Sequence, residues 1–249
     1  MSLEAPHRPP AEDAPAPGET AEKVRLRGID LLLVLVLTAS LYRLVGRLIG
    51  DPTMNARWAV ALLAVQSAVP MAAVHLVVIR ARGLSWSAIG FTPISASWAV
   101  RAFLIALAVL PAMLLVNLAT QALAGRPFRN PQLEFLAPAG FSWEGLAGML
   151  AVVAIIVPIV EETVFRGLLY GWLRARLGVG AAIVLSALVF AFGHGILMLV
   201  PTLMVTGLVL ALVYEKSRSL WPPIIVHGTI NAAMTIALYA ALAADAQLG

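Results

Sequence analysis

The chain has 249 residues, of which 61% are hydrophobic and only 12% are charged, and its mean hydropathy is +0.91. A soluble domain is about 45–50% apolar and about 25% charged, so this composition indicates a protein that exposes much of its surface to lipid. The chain contains no cysteine, which excludes disulfides, thiolate nucleophiles and cysteine-ligated zinc. The net charge of +4 comes from basic residues scattered between apolar runs, and we therefore expect no nucleic-acid partner.

The amino-terminal segment, residues 1–24, is rich in proline, alanine and acidic residues and contains no apolar run of the kind found in signal peptides. We expect this segment to be a disordered polar tail. We expect residues 25–249 to form one membrane domain, with the first apolar run acting as an uncleaved anchor.

Seven apolar runs follow the tail, and most of them approach the roughly 20 residues that a membrane-spanning helix needs. The sequence therefore predicts an all-α, polytopic integral membrane protein with about seven transmembrane helices. The predicted helices cover residues 29–49, 58–79, 99–123, 146–173, 179–199, 201–215 and 221–243.

The connections between these runs carry unequal numbers of basic residues. If the amino terminus is cytoplasmic, eleven Lys and Arg fall on the inner side and five on the outer side, leaving out Arg166. Because cytoplasmic connections of membrane proteins are enriched in Lys and Arg, we expect a cytoplasmic amino terminus.

The fourth run contains three charges, Glu161, Glu162 and Arg166, close to its middle. Charges inside a bilayer cost about 2.5–3.5 kcal/mol each on insertion scales, and they are candidates for function. Glu162 and Arg166 have the helical i,i+4 spacing of a structural ion pair. Glu161 points about 100° away from Glu162 on the helix and has no partner within it, so it is the candidate for chemistry.

Two later runs contribute polar groups at similar depths. His194 lies in the fifth run, and His227 and Asn231 lie four apart on one face of the seventh. At 1.5 Å per residue, Glu161, His194, His227 and Asn231 fall between about 9 and 24 Å from the inner end of their helices. We therefore expect that the four side chains can share one layer of the bundle.

One carboxylate, two imidazoles and one amide are sufficient for hydrolysis of an amide by water. A carboxylate in low dielectric is a good base, and Glu161 beside His194 is placed to take a proton from water. His227 and Asn231 are donors that can stabilise the charge developing on the carbonyl oxygen.

The same residues leave other interpretations open. Glu161, His194 and His227 offer two imidazoles and one carboxylate to zinc or another divalent metal, although the His-Glu-x-x-His spacing is absent. The polar cluster also suits a membrane scaffold or immunity protein, in which it only holds helices together. A third alternative is a transporter that uses Glu161 as a proton site, but the sequence has no inverted repeat.

Three motifs resemble those of the CPBP family, the CAAX prenyl endopeptidases and bacteriocin-processing proteins, also called the Abi family. Glu-Glu-x-x-x-Arg is matched by Glu161, Glu162 and Arg166, Phe-x-x-x-His by Phe190 and His194, and His-x-x-x-Asn/Asp by His227 and Asn231. The motifs cover roughly residues 158–231 and occur in the family's order.

This resemblance implies an intramembrane endopeptidase of about eight helices whose site lies in a cavity open to the cytosol. It implies that Glu161 and His194 activate water and that His227 and Asn231 form the oxyanion site, with Phe190 packing beside them. Family members are often called metalloproteases, and a metal-independent glutamate mechanism has also been argued. The expected substrate is a membrane-associated protein or peptide, prenylated in the eukaryotic branch. The Ala- and Arg-rich composition indicates a bacterial protein, so we expect it in the plasma membrane of a bacterium.

Overall fold

The structure is a computed structural model that describes residues 26–49, 55–125, 128, 130–137 and 140–248. The polar tail expected at residues 1–24 lies outside this part of the chain. The described residues are predominantly helical and contain no strand, which confirms the all-α prediction.

The first half of the bundle contains three long helices. α1 is Gly28–Ile49, α2 is Ala56–Val74 and continues with π-helical backbone over His75–Ala81, and α3 is Ala96–Ala124. A short helix, α4, follows at Pro131–Leu136. Asn130 caps α4 by accepting a hydrogen bond from the backbone of Gln132, and Pro131 occupies a first-turn position that needs no N–H donor.

The second half begins with a 51-residue helical stretch, Trp143–Gly193. Gly178 divides this stretch because its φ of 80° and ψ of 176° are not helical, and only glycine adopts them without strain. We call residues 143–177 α5 and residues 179–193 α6. α7 is Val200–Ser217 and α8 is Trp221–Leu248. Within α5, the segments Leu150–Ile156 and Thr163–Tyr170 have π-helical backbone.

Five stretches of the described chain are long and apolar enough to cross a membrane, compared with the predicted seven or eight. One cause is structural, because α5 and α6 form one continuous stretch. The run predicted at 29–49 falls on α1, where the apolar segment Gly28–Ser40 is the continuous part with described side chains. Many large apolar side chains on these helices face outward, among them Leu115 at 67% and Leu123 at 90% exposure, as expected for surfaces that contact lipid.

Contacts between helix ends define the two ends of the bundle. At one end, Arg82 pairs with Asp30, Arg174 pairs with Glu215, and the backbone of Leu220 donates to Gly90. We call this the basic end, because most Lys and Arg of the described chain lie there. At the opposite end, which we call the far end, Arg57 pairs with Glu144, and the Tyr239 hydroxyl donates to the carbonyl of Leu136.

Close packing around Phe190 positions the functional helices. A buried apolar cluster combines residues of α3, α6, α7 and α8, and Phe190 is 1% exposed within it. Gly228 lets α8 approach α5 closely, since a Cβ at this position would lie 2.4 Å from the carbonyl oxygen of Ala154. Gly207 similarly lets α7 approach the backbone of Ala187 on α6.

Candidate active site

A buried ion pair forms the base of the site. Glu162 and Arg166 lie one turn apart on α5, and both side chains are fully buried. Arg166 Nη1 donates to Glu162 Oε1 at 2.9 Å, and Nη2 donates to the carbonyl of Gly207 on α7 at 3.1 Å. The guanidinium also lies 4.6 Å from the centre of the Phe190 ring. These partners compensate the burial of a charged group that would otherwise be costly in a membrane.

His227 lies between the two adjacent glutamates. Its Nδ1 donates to Glu162 Oε1 at 2.9 Å, and its Nε2 lies 3.8 Å from Glu161 Oε2. The second distance is longer than a hydrogen bond, so the Glu161 contact is an electrostatic one. With Nδ1–H directed at Glu162, Nε2 is an acceptor in the neutral ring and a donor only in the imidazolium form.

Glu161 is the carboxylate of the site that lacks a hydrogen-bond partner. Its side chain is 28% exposed, whereas Glu162 is fully buried. The Oε2 atom of Glu161 is itself buried and accepts no hydrogen bond from any described residue. Glu162 Oε2 also lacks a donor among the described residues, but only Glu161 is partly exposed, so it is the carboxylate that can meet water or a ligand in the cavity.

His194 immediately follows the last helical residue of α6. Gly195, with a φ of 71°, ends the helix there. His194 Nδ1 lies 2.8 Å from the carbonyl oxygen of Phe190, and because a carbonyl only accepts, Nδ1 carries the proton. The Nε2 atom of the neutral ring is therefore an acceptor. The Phe190 ring contacts both imidazoles, with centroids 4.9 Å from His194 and 5.8 Å from His227.

Asn231 lies one turn after His227 on α8. Its Nδ2 donates to the carbonyl of Val153 at 2.9 Å. Val153 lies in the π-helical part of α5, where the backbone departs from the regular α-helical bonding pattern. The Asn231 amide group carries a second N–H, which the Val153 contact does not use.

Glu161, His194, His227 and Asn231 all line one cavity of about 760 Å³. Its walls also include apolar residues of α1, α2, α3, α5, α7 and α8. Neutral polar side chains are interspersed among them, namely Thr38, Gln66, Ser67, Asn130, Gln132, Thr202, Thr206 and Thr235. The cavity extends from the middle of the bundle towards the far end, where α4 and the start of α7 contribute to its lining.

The structure therefore places all four residues singled out for chemistry in the lining of one cavity. It also reveals a relationship that sequence reasoning missed, namely the hydrogen bond from His227 to Glu162. These two residues are 65 positions apart, and no local spacing signals their contact. The sequence likewise gave no sign that the Val153 carbonyl would accept from Asn231.

The geometry does not support the metal interpretation. Nowhere in the described chain do three or more His, Cys, Asp or Glu side chains come together as a group able to hold a metal ion. Glu161 and His227 are neighbours, but His227 Nδ1 is engaged by Glu162, and His194 does not complete a ligand set with them. The zinc site left open at Glu161, His194 and His227, and with it the metalloprotease interpretation, is accordingly unsupported.

The fold and the cavity define a multi-pass helical membrane protein with a carboxylate, two imidazoles and an amide at one internal surface. Comparison with known families agrees with this arrangement. Residues 143–233 match the family model described as Type II CAAX prenyl endopeptidase Rce1-like. The match spans all three motifs, and it confirms the resemblance to CAAX prenyl endopeptidases over this segment.

One curated relative supports the same assignment. The chain is 28% identical over 88 residues to the Bacillus subtilis (strain 168) protein named "Putative membrane peptidase YdiL". The aligned segment covers 35% of this chain and 36% of that relative, so the similarity extends over about a third of each protein. No solved structure matches the chain significantly.

Proposed function

We propose that this protein is an intramembrane endopeptidase that hydrolyses a peptide bond of a membrane-associated protein or peptide. The observation that carries the proposal is the carboxylate of Glu161, whose Oε2 accepts no hydrogen bond from the described residues and which lines a cavity together with His194, His227 and Asn231. The similarity to a membrane peptidase and to the CAAX prenyl endopeptidase family over residues 143–233 supports the same reaction class.

Two acceptors of the site are suited to hold the attacking water. Glu161 offers a carboxylate oxygen, and His194 offers the lone pair of Nε2, because its Nδ1–H is directed at Phe190. A water molecule between them can donate one O–H to each group. Both bonds direct a lone pair of the water oxygen towards a substrate carbonyl, which is the arrangement needed for attack.

Two donors are suited to stabilise the oxyanion. The Asn231 amide supplies the N–H that Val153 does not use. His227 supplies Nε2–H in its imidazolium form, while its Nδ1–H remains hydrogen-bonded to Glu162. Loss of one such donor typically reduces turnover by about a hundredfold to a thousandfold.

The proton balance closes with these groups alone. Glu161 takes a proton from water, and the resulting hydroxide forms a bond to the carbonyl carbon. The tetrahedral intermediate places its negative charge on the oxygen facing His227 and Asn231. Glu161 then gives the proton to the amide nitrogen, the C–N bond breaks, and the products are a carboxylic acid and an amine.

Glu162 and Arg166 act behind this surface as positioning residues. Glu162 fixes the ring of His227 by accepting from Nδ1, and Arg166 fixes Glu162 through the same oxygen. Because both are fully buried, they contact neither the water nor the substrate.

The cavity wall favours a substrate with an apolar or lipidated segment. Neutral hydroxyls and amides, such as those of Thr38 and Gln66, can satisfy the backbone of an extended peptide, and the apolar wall suits its side chains or an attached lipid. Prenylation is one such lipid modification, and comparing a farnesylated with an unmodified peptide tests whether the enzyme requires it.

The decisive experiment compares wild type with Glu161→Gln in proteoliposomes. The probes are internally quenched apolar peptides, one farnesylated and one not. We expect cleavage by wild type and a loss of at least about a hundredfold in Glu161→Gln, with an unchanged melting temperature. Cleavage of both peptides would assign a broad specificity, and cleavage of the farnesylated peptide alone a CAAX-type one.

Three outcomes would count against the proposal. Full turnover in Glu161→Gln would remove Glu161 from the mechanism. A variant that loses folding together with activity would favour the scaffold alternative, and proton-coupled solute flux without cleavage would favour the transporter.

A further inference from the structure

A second concave surface lies between α3 and α7, away from the catalytic cavity. We call it the α3–α7 groove. It has a volume of about 450 Å³, and its walls are formed by Leu104 and Ile105 of α3 and by Val209 and Leu212 of α7. Leu104 is 56% and Leu212 is 43% exposed, so the groove opens outward to the surroundings of the bundle.

One end of the α3–α7 groove is positively charged. Arg101 and Lys216 both line it, and both are exposed. Arg101 lies in the second turn of α3 and Lys216 in the last turn of α7, which places both at the basic end of the bundle. Trp98 lines the same end, with its ring 5.6 Å from the guanidinium of Arg101.

Neither cation is neutralised by its neighbours within the described chain. Glu215 directly precedes Lys216 in the sequence. Its carboxylate is already paired with Arg174 and Arg218 and accepts a hydrogen bond from the Tyr170 hydroxyl. No ion pair among the described residues involves Arg101 or Lys216. Two exposed cations therefore face a site that supplies no anion of its own.

We propose that the α3–α7 groove is a binding site for an anionic glycerophospholipid. The headgroup phosphate lies between Arg101 and Lys216, and one acyl chain lies along Leu104 and Leu212. Basic pockets between transmembrane helices at the membrane surface have the chemistry that recognises anionic headgroups, and a tryptophan at this depth suits the interface. A zwitterionic lipid carries its own cation and gains less from two positive groups. This site is independent of the proposed peptidase activity.

The test uses the full chain in mixed micelles with equimolar phosphatidylglycerol and phosphatidylcholine, and native mass spectrometry counts the retained lipid. We expect wild type to retain one phosphatidylglycerol in preference to phosphatidylcholine. The double variant Arg101→Gln/Lys216→Gln should lower the affinity for phosphatidylglycerol about thirtyfold, because each interfacial cation contributes about 1 kcal/mol to binding. The matched control Arg80→Gln/Arg176→Gln removes two exposed cations of the same end outside the groove and should retain the lipid as wild type does.

Two further arms separate the alternatives. Leu212→Trp fills the groove while keeping both cations, and it should also release the lipid; its exposed position makes it a safe variant for folding. Glycerol phosphate has the headgroup without acyl chains and should not compete. Equal loss in the two double variants, no preference in wild type, or full competition by glycerol phosphate would each overturn the proposal.

Discussion

Glu162 on α5 accepts a hydrogen bond from Nδ1 of His227 on α8, with 2.9 Å between the two atoms. The same carboxylate oxygen accepts from Arg166, so one atom both completes an ion pair and orients an imidazole. The ring of His227 is thereby directed with its other nitrogen towards Glu161. Adjacent glutamates in the chain thus have different functions, because one faces the protein interior and the other faces the cavity.

Replacing Glu162 by Gln should therefore reduce stability as well as activity. The change leaves the fully buried Arg166 without its counter-charge, and breaking a buried pair in this way costs about 3–5 kcal/mol. The measurement is unfolding in detergent, with turnover of the quenched peptide in parallel. Glu161→Gln is the matched control, since it changes a carboxylate whose Oε2 accepts no hydrogen bond from the described residues, and it should leave stability nearly unchanged.

The double variant Glu162→Gln/Arg166→Met sharpens this distinction. Replacing both members of a buried pair removes the uncompensated charge, so stability should recover towards wild type. Activity should stay low, because His227 no longer has an anionic partner at Nδ1. Recovery of activity together with stability would show that Glu162 has only a structural role.

Gly228→Ala should separate α8 from α5 next to His227. The added Cβ would meet the Ala154 carbonyl oxygen at 2.4 Å, and backbone cannot move aside as a flexible side chain can. Overpacking of this kind costs about 1–3 kcal/mol and should shift both His227 and Asn231 from their partners. The control is Gly180→Ala in α6, where no atom lies within 4 Å of the new Cβ. The melting temperature and the turnover should both decrease in Gly228→Ala and should stay at the wild-type values in Gly180→Ala.

Asn231→Ala should lower turnover by about a hundredfold to a thousandfold, because it removes one proposed oxyanion donor. The KM for the quenched peptide should change much less, since the interaction is made in the transition state. Gln66→Ala is the control, as it removes a cavity amide that belongs to no motif. An equal loss in both variants would mean that the amides only bind peptide.

The orientation of the bundle can be tested on one helix, because the chain has no native cysteine. Ser97→Cys and Ala124→Cys place single exposed thiols near the two ends of α3. The excess of Lys and Arg at the basic end predicts that an impermeant maleimide applied outside intact cells labels Cys at 124 but not at 97. The reverse pattern would place the far end, and the part of the cavity beside it, in the cytoplasm.

That experiment also decides between two expectations from the sequence. The basic-residue count places the amino terminus in the cytoplasm, and the contact of Arg82 with Asp30 places the start of α1 at the basic end. The family resemblance implies a cavity open to the cytosol, yet its lining extends towards the far end. If the cavity opens only at the far end, a cytoplasmic basic end would contradict the expectation of a cavity open to the cytosol.

Helix positions were predictable because a spanning helix must be apolar over most of its length. The predicted run at 221–243 begins where α8 begins, and Pro201 lies in the first turn of α7, where its missing N–H does no harm. The predicted helix at 179–199 was too long, because Gly195 adopts a positive φ and ends α6 after Gly193. Such a stop depends on one residue and leaves the hydropathy pattern unchanged.

The local ion pair beside the candidate site was predictable from the sequence, but the hydrogen bonds between its helices were not. The i,i+4 spacing of Glu162 and Arg166 is local, and the structure shows the corresponding ion pair. The contacts of His227 and Asn231 depend on how α8 is rotated against α5. The π-helical segments of α5 and the close approach of α8 at Gly228 both bear on this contact, and neither has a periodic signature in the sequence.

The contacts at the basic end restrict how the molecule can move. Hydrogen bonds from Leu220 to Gly90 and from Ser219 to Thr92, together with the Arg174–Glu215 pair, hold several helix ends against one another there. A Cβ at Gly167 would lie 2.8 Å from the carbonyl oxygen of Ile89, so this junction has no spare room. Relative movement of these segments would break those hydrogen bonds and the ion pair, so we expect this junction to stay together when the cavity widens.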